Sequence, residues 1–487
     1  MKINRLTFII PNSEWFGKRY WHNFPYTVGL LVAVVKKYGF DVDVIDANID
    51  NLTEKGLAEK IEEHSPDVVA ISAMTIEYRK SVHRTCEIVK KVDDNIIVIM
   101  GGIYPTLSLE IAQKDENIDF IICGEGEKRL PNLLKAIDAG GGFEKIDGLV
   151  YEKNGAQIAN PVQSRIEDLD AAPFPDYSLF NMKKYTYYDQ QYTQNFRFRE
   201  HPWAQTITSR GCPYKCIFCA SNRIYGLPIR YRSPENVLAE VDMLVEKYGI
   251  REMIFVDDSF LQSKSRAVKL FQGLIERKYD LVWKSNNLSI FLMDDEILEM
   301  MKASGCYQIS ASIESGHPDT LKRIRKPINL EKIQIIIEKV KKLKIELISN
   351  FVIGFPFETW EEIRETFRYA EAIDIDYVLF SIATPLPATE LYDICVKEKH
   401  LPDDFSFENF EYYGFGRGCI TTNEFTPFEL QVARAYEWDR INFKTEKKKS
   451  KIAAMLGITL EQLDNWRKET RRKLGVQIES ADKANLK

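Results

Sequence analysis

The chain has 487 residues, with 66 lysines and arginines against 72 aspartates and glutamates and a formal charge of −6. That length leaves room for about three domains, and the charge balance argues against a protein that coats nucleic acid, though not against a local basic patch. Eight cysteines in so long a chain are too few for a disulfide framework.

Met1-Lys2-Ile3-Asn4-Arg5 leads straight into an apolar strand without a signal-peptide pattern. The longest apolar stretch, Val28–Val35, is too short to cross a bilayer. No membrane span is therefore expected, and the cytoplasm, where thiols stay reduced, is the expected compartment.

Residues 1–150 alternate short strands with amphipathic helices. Strands are predicted at Leu6–Ile10, Val42–Asp46, Val68–Ser72, Ile96–Met100 and Phe120–Cys123. Such alternation means parallel βαβ units in an open, doubly wound, Rossmann-like sheet, whose ligand face lies at the carboxyl ends of its strands. Residues 151–203 read as a connector, with a hairpin signal at Asn154-Gly155, a proline-punctuated stretch and an aromatic run from Tyr185 to Phe198 that is linker or lid.

From 204 to 400 the alternation resumes. Strands are predicted at Ala204–Thr208, Met253–Val256, Leu281–Lys284, Gln308–Ile313, Glu346–Ile353 and Tyr377–Ala383. Ser233 and Pro234 open a helix that stops at Gly249. Six βα units make a partial (β/α)6 TIM barrel, with its working face again at the strand carboxyl ends. Residues 401–487 form a helical C-terminal extension, so the fold class is α/β throughout the first 400 residues. Within the tail, Ser450–Leu463 reads as helix, glycine turn, helix, flanked by Lys447–Lys449, Arg467, Arg471 and Arg472. This looks like a helix-turn-helix, yet a tail that covers the barrel mouth or binds a partner is the preferred reading, and nucleic acid is not expected as a partner.

The chemistry concentrates in Gly211-Cys212-Pro213-Tyr214-Lys215-Cys216-Ile217-Phe218-Cys219. A closed structural zinc site wants four ligands. Three thiolates in one short loop instead suit a [4Fe–4S] cluster with one open iron. A zinc loop borrowing a distant fourth ligand, or three unligated thiols, are the alternatives. Cys86, Cys123, Cys306, Cys395 and Cys419 are scattered and form no second motif.

The Cys-x3-Cys-x2-Cys run, with Phe218 before its third cysteine, resembles the radical S-adenosylmethionine (SAM) superfamily. The resemblance implies that Cys212, Cys216 and Cys219 hold the cluster, that SAM chelates the open iron, and that one electron cleaves its sulfonium to a 5′-deoxyadenosyl radical. Glu314-Ser315-Gly316 resembles the SAM-contacting element, and Ile353-Gly354-Phe355-Pro356 the segment near adenine. Phe218, Asp257, Ser285, Glu314, Ser315, Gly354 and Pro385 are the SAM-site candidates. Lys326 is a further candidate for the SAM carboxylate. For Asp257-Asp258 the site is the preferred reading, with a helix N-cap beside a strand end as the alternative.

A doubly wound domain ahead of such a barrel resembles the cobalamin (B12)-binding branch of the superfamily, over roughly residues 1–400. The strings that carry this are Val68–Ser72, Met100-Gly101-Gly102-Ile103-Tyr104-Pro105-Thr106 and Cys123-Gly124-Glu125-Gly126-Glu127. Ser72, Thr75, Gly101, Gly102, Gly124, Glu125 and Gly126 would line the corrinoid. The Asp-x-His-x-x-Gly string that supplies an axial histidine elsewhere is absent, and His22 lacks its spacing. A sheet that docks and binds nothing is the alternative.

The resemblance implies methylation of an unactivated carbon, with a cyclisation, rearrangement or oxidation that leaves the methyl group in place as the second outcome. A corrinoid or redox sensor whose tail touches DNA is a third. A small-molecule or natural-product-like substrate is implied, as is an electron donor such as flavodoxin or ferredoxin.

Overall fold

Val68-Val69-Ala70-Ile71 is apolar on both faces, as a strand covered by helices on both sides must be, and its four side chains are buried. It belongs to the first of two compact units in the computed structural model, which describes residues 2–17, 22–188, 197–408 and 416–473. The first unit comprises Met1–Tyr188, His201–Pro213 and Ala220–Met253; the second comprises Asp189–Glu200, Tyr214–Cys219 and Ile254–Lys487.

In the first unit β1 (Leu6–Ile10), α1 (Tyr26–Lys37), β2 (Val42–Asp46), α2 (Glu54–His64), β3 (Val68–Ala73) and α3 (Arg79–Val92) alternate. There follow β4 (Ile97–Gly102), α4 (Ile103–Leu107), α5 (Leu109–Ala112), β5 (Phe120–Ile122) and α6 (Gly126–Ala139). All five predicted strands form, in the order β2-β1-β3-β4-β5 and all parallel. The order reverses between β1 and β3, the switch point at which such sheets open a crevice. The Asn154-Gly155 hairpin, read as part of the connector, instead extends this sheet: β6 (Leu149–Lys153) runs antiparallel to β5, and β7 (Ala156–Ala159) closes the edge. Both turn residues take positive φ, 55° and 76°, as the predicted type of tight turn requires.

The rest of this unit is α7 (Met182–Thr186), β8 (Trp203–Thr206), β9 (Ser209–Arg210), α8 (Ser221–Tyr225), β10 (Arg230–Tyr231) and α9 (Pro234–Tyr248). β9 and β10 pair antiparallel. α9 starts and stops where expected: Ser233 Oγ accepts the Asn236 N–H at 3.1 Å, and Gly249 closes the helix at φ 65°.

β11 (Glu252–Phe255) lies where the chain passes between units. The second unit continues with α10 (Lys264–Arg277), β12 (Val282–Leu288), α11 (Asp295–Ala303), β13 (Cys306–Glu314), α12 (Pro318–Arg323) and α13 (Leu330–Lys342). Then come β14 (Glu346–Ile353), α14 (Trp360–Ala372), β15 (Tyr377–Ile382), α15 (Glu390–Lys397), α16 (Pro427–Asn442), α17 (Glu446–Leu456) and α18 (Leu460–Lys473). All six strands predicted for the barrel are present, and β12 through β15 pair parallel in chain order. β12 runs to Leu288, so Ser285 and Asn286 lie inside the strand rather than at its end.

β15 is an edge strand, and bare edges leave unpaired backbone groups. α16 covers it. Asn442 accepts the Val378 N–H at 2.9 Å and donates its amide to the Val378 carbonyl at 2.8 Å, as a neighbouring strand would. Arg434 Nε donates to the Phe380 carbonyl one rung along. Among the described residues no helix is long and apolar enough to cross a membrane.

Candidate active site

Of the eight cysteines, only Cys212, Cys216 and Cys219 reach solvent; the other five are buried. Burial pushes the Cys123 thiol up to about 11 and those of Cys395 and Cys419 to about 12, and it raises Cys86 and Cys306 as well. Thiolates, the form that binds metal, are therefore accessible in the loop alone. Among the described residues, no three His, Cys, Asp or Glu side chains are gathered as a metal-binding group. Cys212 falls with the first unit, and Cys216 and Cys219 with the second. The donor set itself, three accessible thiols within eight residues, fits a cluster held by three thiolates.

The later part of the loop is firmly seated. The Ile217 N–H donates to the Ile324 carbonyl at 3.3 Å, the Ile217 carbonyl accepts the Leu391 N–H at 2.9 Å, and the Cys216 thiol lies 3.7 Å from the Arg325 carbonyl. Arg325, in the left-handed region at φ 59°, forks onto both oxygens of Glu390 at 2.6 Å and so ties the two docking segments together. Next in the chain, Lys326 donates to Glu314 Oε1 at 2.9 Å. Burial works against the lysine's charge, but Glu314 and the sulfurs of Cys216 and Cys219 outweigh it and raise its pKa. Phe218 packs at a tilt on Phe355, with ring centroids 5.7 Å apart.

Thus Cys216, Phe218, Cys219, Glu314, Lys326 and the Gly354 loop come together at the carboxyl ends of β13 and β14. Gly354 needs its positive φ of 84°, and a Cβ there would lie 2.4 Å from Leu430 of α16. Beneath this loop sits Glu358, which sequence reasoning passed over. Its Oε2 accepts the N–H groups of both Gly354 and Phe355, at 2.7 and 2.8 Å, while its Oε1 has no hydrogen-bond partner among the described residues. Burial raises its carboxyl to about 8. The only signal in the chain was an acid four residues after a strand-end glycine and just before a helix cap.

Other candidates have different occupations. The Ser285 hydroxyl donates to the Phe255 carbonyl at 3.0 Å, and the Ser315 hydroxyl bonds Thr366 Oγ1 at 3.0 Å and accepts the His317 N–H. Both fix backbone. Asp257 is buried, and neither aspartate occupies the N-cap position of the helix that follows, which falls at Ser263 without a side-chain cap. Pro385 is buried in the turn after β15.

In the first unit, Ser72, Thr75, Gly101, Gly102, Gly124 and Gly126 lie at the carboxyl edge of the sheet, none fully buried. Gly102 has φ 105° and would place a Cβ 2.4 Å from the Ala73 carbonyl, so only glycine fits. Small accessible residues beside the switch point fit a large planar ligand. Glu125 differs: its carboxylate binds Arg210 at 2.8 Å, Arg230 at 2.7 Å and the Ile166 N–H at 2.8 Å. Burial would push it up, but the two arginines hold it low. Glu125 is a structural junction. His22 stacks on the Tyr188 ring at 3.4 Å, and burial depresses it to about 4.

The tail divides: Leu430 of α16 reaches the Gly354 loop at the mouth, whereas the next helix lies elsewhere. α17 meets the amino ends of the strands, not the mouth: Lys448 pairs with Asp374 and Lys451 with Asp376, both just before β15. The Met455 carbonyl accepts the Arg197 N–H at 2.9 Å. Phe198 and Arg199 lie at the same floor, Phe198 under Lys284 at 3.9 Å and Arg199 paired with Glu346 at 2.6 Å. The end of the aromatic run therefore seals the floor; residues 189–196 lie outside the described residues. The helix-turn-helix pattern is real, with Gly457 at φ 68°. Its basic face is neutralised internally, however, by Lys449–Asp464, Arg467–Asp439, Arg471–Asp439 and Arg472–Glu469 pairs of 2.6–2.9 Å.

Residues 206–370 match the radical SAM superfamily and residues 20–134 the B12 binding domain. An uncharacterized methyltransferase of Pyrococcus horikoshii is 31% identical over 398 residues, covering 81% of this chain and 84% of that protein. The anaerobic magnesium-protoporphyrin IX monomethyl ester cyclase of Rubrivivax gelatinosus is 28% identical over 419 residues, 84% of this chain and 72% of that one. The fold is shared with the radical SAM methyltransferase TsrM of Kitasatospora setae, solved with cobalamin and a [4Fe-4S] cluster. Its TM-score is 0.74 at 17% identity, covering 98% of this chain and 99% of that one. The protein is thus a radical SAM enzyme. More narrowly, the chain belongs to the family of radical SAM enzymes with an N-terminal B12-binding domain, which includes methyltransferases and cyclases.

Proposed function

We propose that this enzyme methylates a carbon of a small-molecule substrate. The observation that carries the reading is the relative named a methyltransferase, 31% identical across 81% of the chain, together with the three accessible thiols. Cys212, Cys216 and Cys219 would hold a [4Fe–4S] cluster. Glu314 and Lys326, already a matched pair of charges, would receive the amino and carboxylate groups of SAM, with Phe218, Asp257, Gly354 and Pro385 around its adenosyl part. Ser72, Thr75, Gly101, Gly102, Gly124 and Gly126 would line cobalamin. When bound, these cofactors supply one-electron cleavage of a sulfonium and a transferable methyl group.

The chain's own contribution is placement. The loop seat at Ile217 fixes where Cys216 and Cys219 present their sulfurs, and the Lys326–Glu314 pair presents opposite charges to an amino acid head group. The Glu358 carboxyl holds the Gly354 backbone in the one conformation its neighbours permit. Exposure of Cys219 supports electron delivery from a small carrier such as flavodoxin or ferredoxin, and accessible reduced thiols support a cytoplasmic setting.

The test is anaerobic turnover of the reconstituted full chain with SAM, analysed for products. Formation of both S-adenosylhomocysteine and 5′-deoxyadenosine supports methyl transfer. 5′-Deoxyadenosine without S-adenosylhomocysteine supports the second reading, a cyclase or oxidase, which the 28% identity to a cyclase favours. Absence of both products overturns the radical reading.

A further inference from the structure

An Asp–His–Tyr chain in the first unit takes no part in the chemistry above. His83, in the second turn of α3, has Nδ1 2.6 Å from Asp115 Oδ2 and Nε2 2.8 Å from the Tyr104 hydroxyl. Asp115 is itself fixed, its other oxygen accepting the backbone N–H of Asn117 at 3.0 Å and its side-chain amide at 2.7 Å. A carboxylate can only accept, so Nδ1 carries the proton it shares with Asp115, and in the neutral imidazole Nε2 accepts from the Tyr104 phenol.

Tyr104 is almost wholly buried and lies in α4, a five-residue turn. So short a helix has little stability of its own, and no side chain caps its start. Outside contacts must therefore decide where it sits. One is the phenol–imidazole–carboxylate chain. Another is Thr106, whose hydroxyl donates to the Gly102 carbonyl at 2.6 Å and accepts the Gly124 N–H at 2.9 Å. The Cys123 thiol adds a contact of 3.7 Å to the Pro105 carbonyl. α4 is thus a splint between the glycine ends of β4 and β5, and the His83 chain anchors the splint to α3.

We propose that His83 is a positioning residue for the corrinoid: through Tyr104 and α4 it sets the spacing of the Gly101–Gly102 and Gly124–Gly126 loops that receive the ligand. The inference rests on the cobalamin reading above. His83 does not touch the ligand; it acts through the backbone that does. Losing either end of the chain frees α4 to tilt and the two glycine loops to move apart.

Hydroxocobalamin titration of the anaerobic full chain tests this, with wild type, His83→Ala, Tyr104→Phe and the more conservative His83→Gln. His83→Ala and Tyr104→Phe each weaken corrinoid binding about tenfold and alter the electron paramagnetic resonance spectrum of bound cob(II)alamin. His83→Gln recovers part of both, and iron per chain is unchanged in all. Hydrogen exchange on the same proteins without corrinoid shows faster exchange at residues 102–107 and 124–126 in the variants. Corrinoid affinity and spectrum equal to wild type in both variants overturn the proposal. If wild type takes up no corrinoid, the cobalamin reading falls on its own. The exchange result then decides the anchoring: unchanged protection at 102–107 and 124–126 overturns that too.

Discussion

Both parallel sheets end in functional-looking loops on their carboxyl sides, but they furnish them differently. The first sheet offers backbone. Gly101, Gly102, Gly124 and Gly126 leave room, and the one carboxylate among the candidates, Glu125, is taken up by Arg210 and Arg230. The barrel strands offer ionisable side chains: two of the accessible thiols, the Glu314–Lys326 pair and the buried acid Glu358. Room and backbone suit a large, weakly charged planar ligand, whereas charged side chains suit a metal cluster or a zwitterion. The contrast separates shape recognition from charge recognition within one chain, and each can be broken separately.

The largest effect is expected at the thiols. Cys216→Ala lowers iron per chain to background and removes the visible absorption after anaerobic reconstitution; full iron in that variant would break the ligand assignment. Next comes the backbone side of the comparison. Gly102→Ala forces a Cβ onto the Ala73 carbonyl at a φ that L-residues avoid, and costs about 3 kcal/mol or more in urea unfolding. Its corrinoid uptake falls while iron binding in the barrel stays.

Lys326→Met leaves Glu314 buried with no cation, a loss of about 3 kcal/mol, whereas Lys326→Met with Glu314→Gln restores most of it. Equal losses in the single and double variants would show the pair to be uncoupled. Glu358 gives a smaller, pH-dependent effect. Burial holds its carboxyl near 8 against an ordinary value of 4.5, so the unfolded chain gives up this proton first. Its stabilising contribution is complete below about 4.5 and is lost as pH rises through about 8. Glu358→Gln flattens that part of the unfolding profile; an unchanged slope would mean the acid is ionised in the folded protein. The smallest effect is at the floor. Arg199→Ala breaks a half-exposed pair with Glu346 and shifts stability by less than about 1 kcal/mol, without altering cofactor content.

The strands were legible because each is an apolar run between glycine, proline or acidic punctuation, and β1, β2 and β14 end where the pattern placed them. β12 was read short because Lys284, Ser285 and Asn286 are polar, yet the interior of an open barrel accepts polar residues that a sandwich core would not. Cys212, Cys216 and Cys219 were singled out by spacing alone, and they are the three cysteines that reach solvent. Glu358 was not, since what distinguishes it from any helix-start acid is its burial under two backbone N–H groups, which depends on the fold. The last two helices of the tail were misplaced for a similar reason. Lys448 and Arg467 look like free cations until Asp374 and Asp439, far away in the chain, are brought beside them.

The Asn442 side chain stands in for backbone at the edge of the barrel sheet. A carboxamide carries a donor nitrogen and an acceptor oxygen on a single carbon, so a helix that places it level with Val378 can impersonate the peptide group of an absent seventh strand. α16 is therefore as much a part of the barrel as any β-strand. A fragment ending before residue 427 would present a raw hydrogen-bonding margin, and such fragments should stick to one another through it.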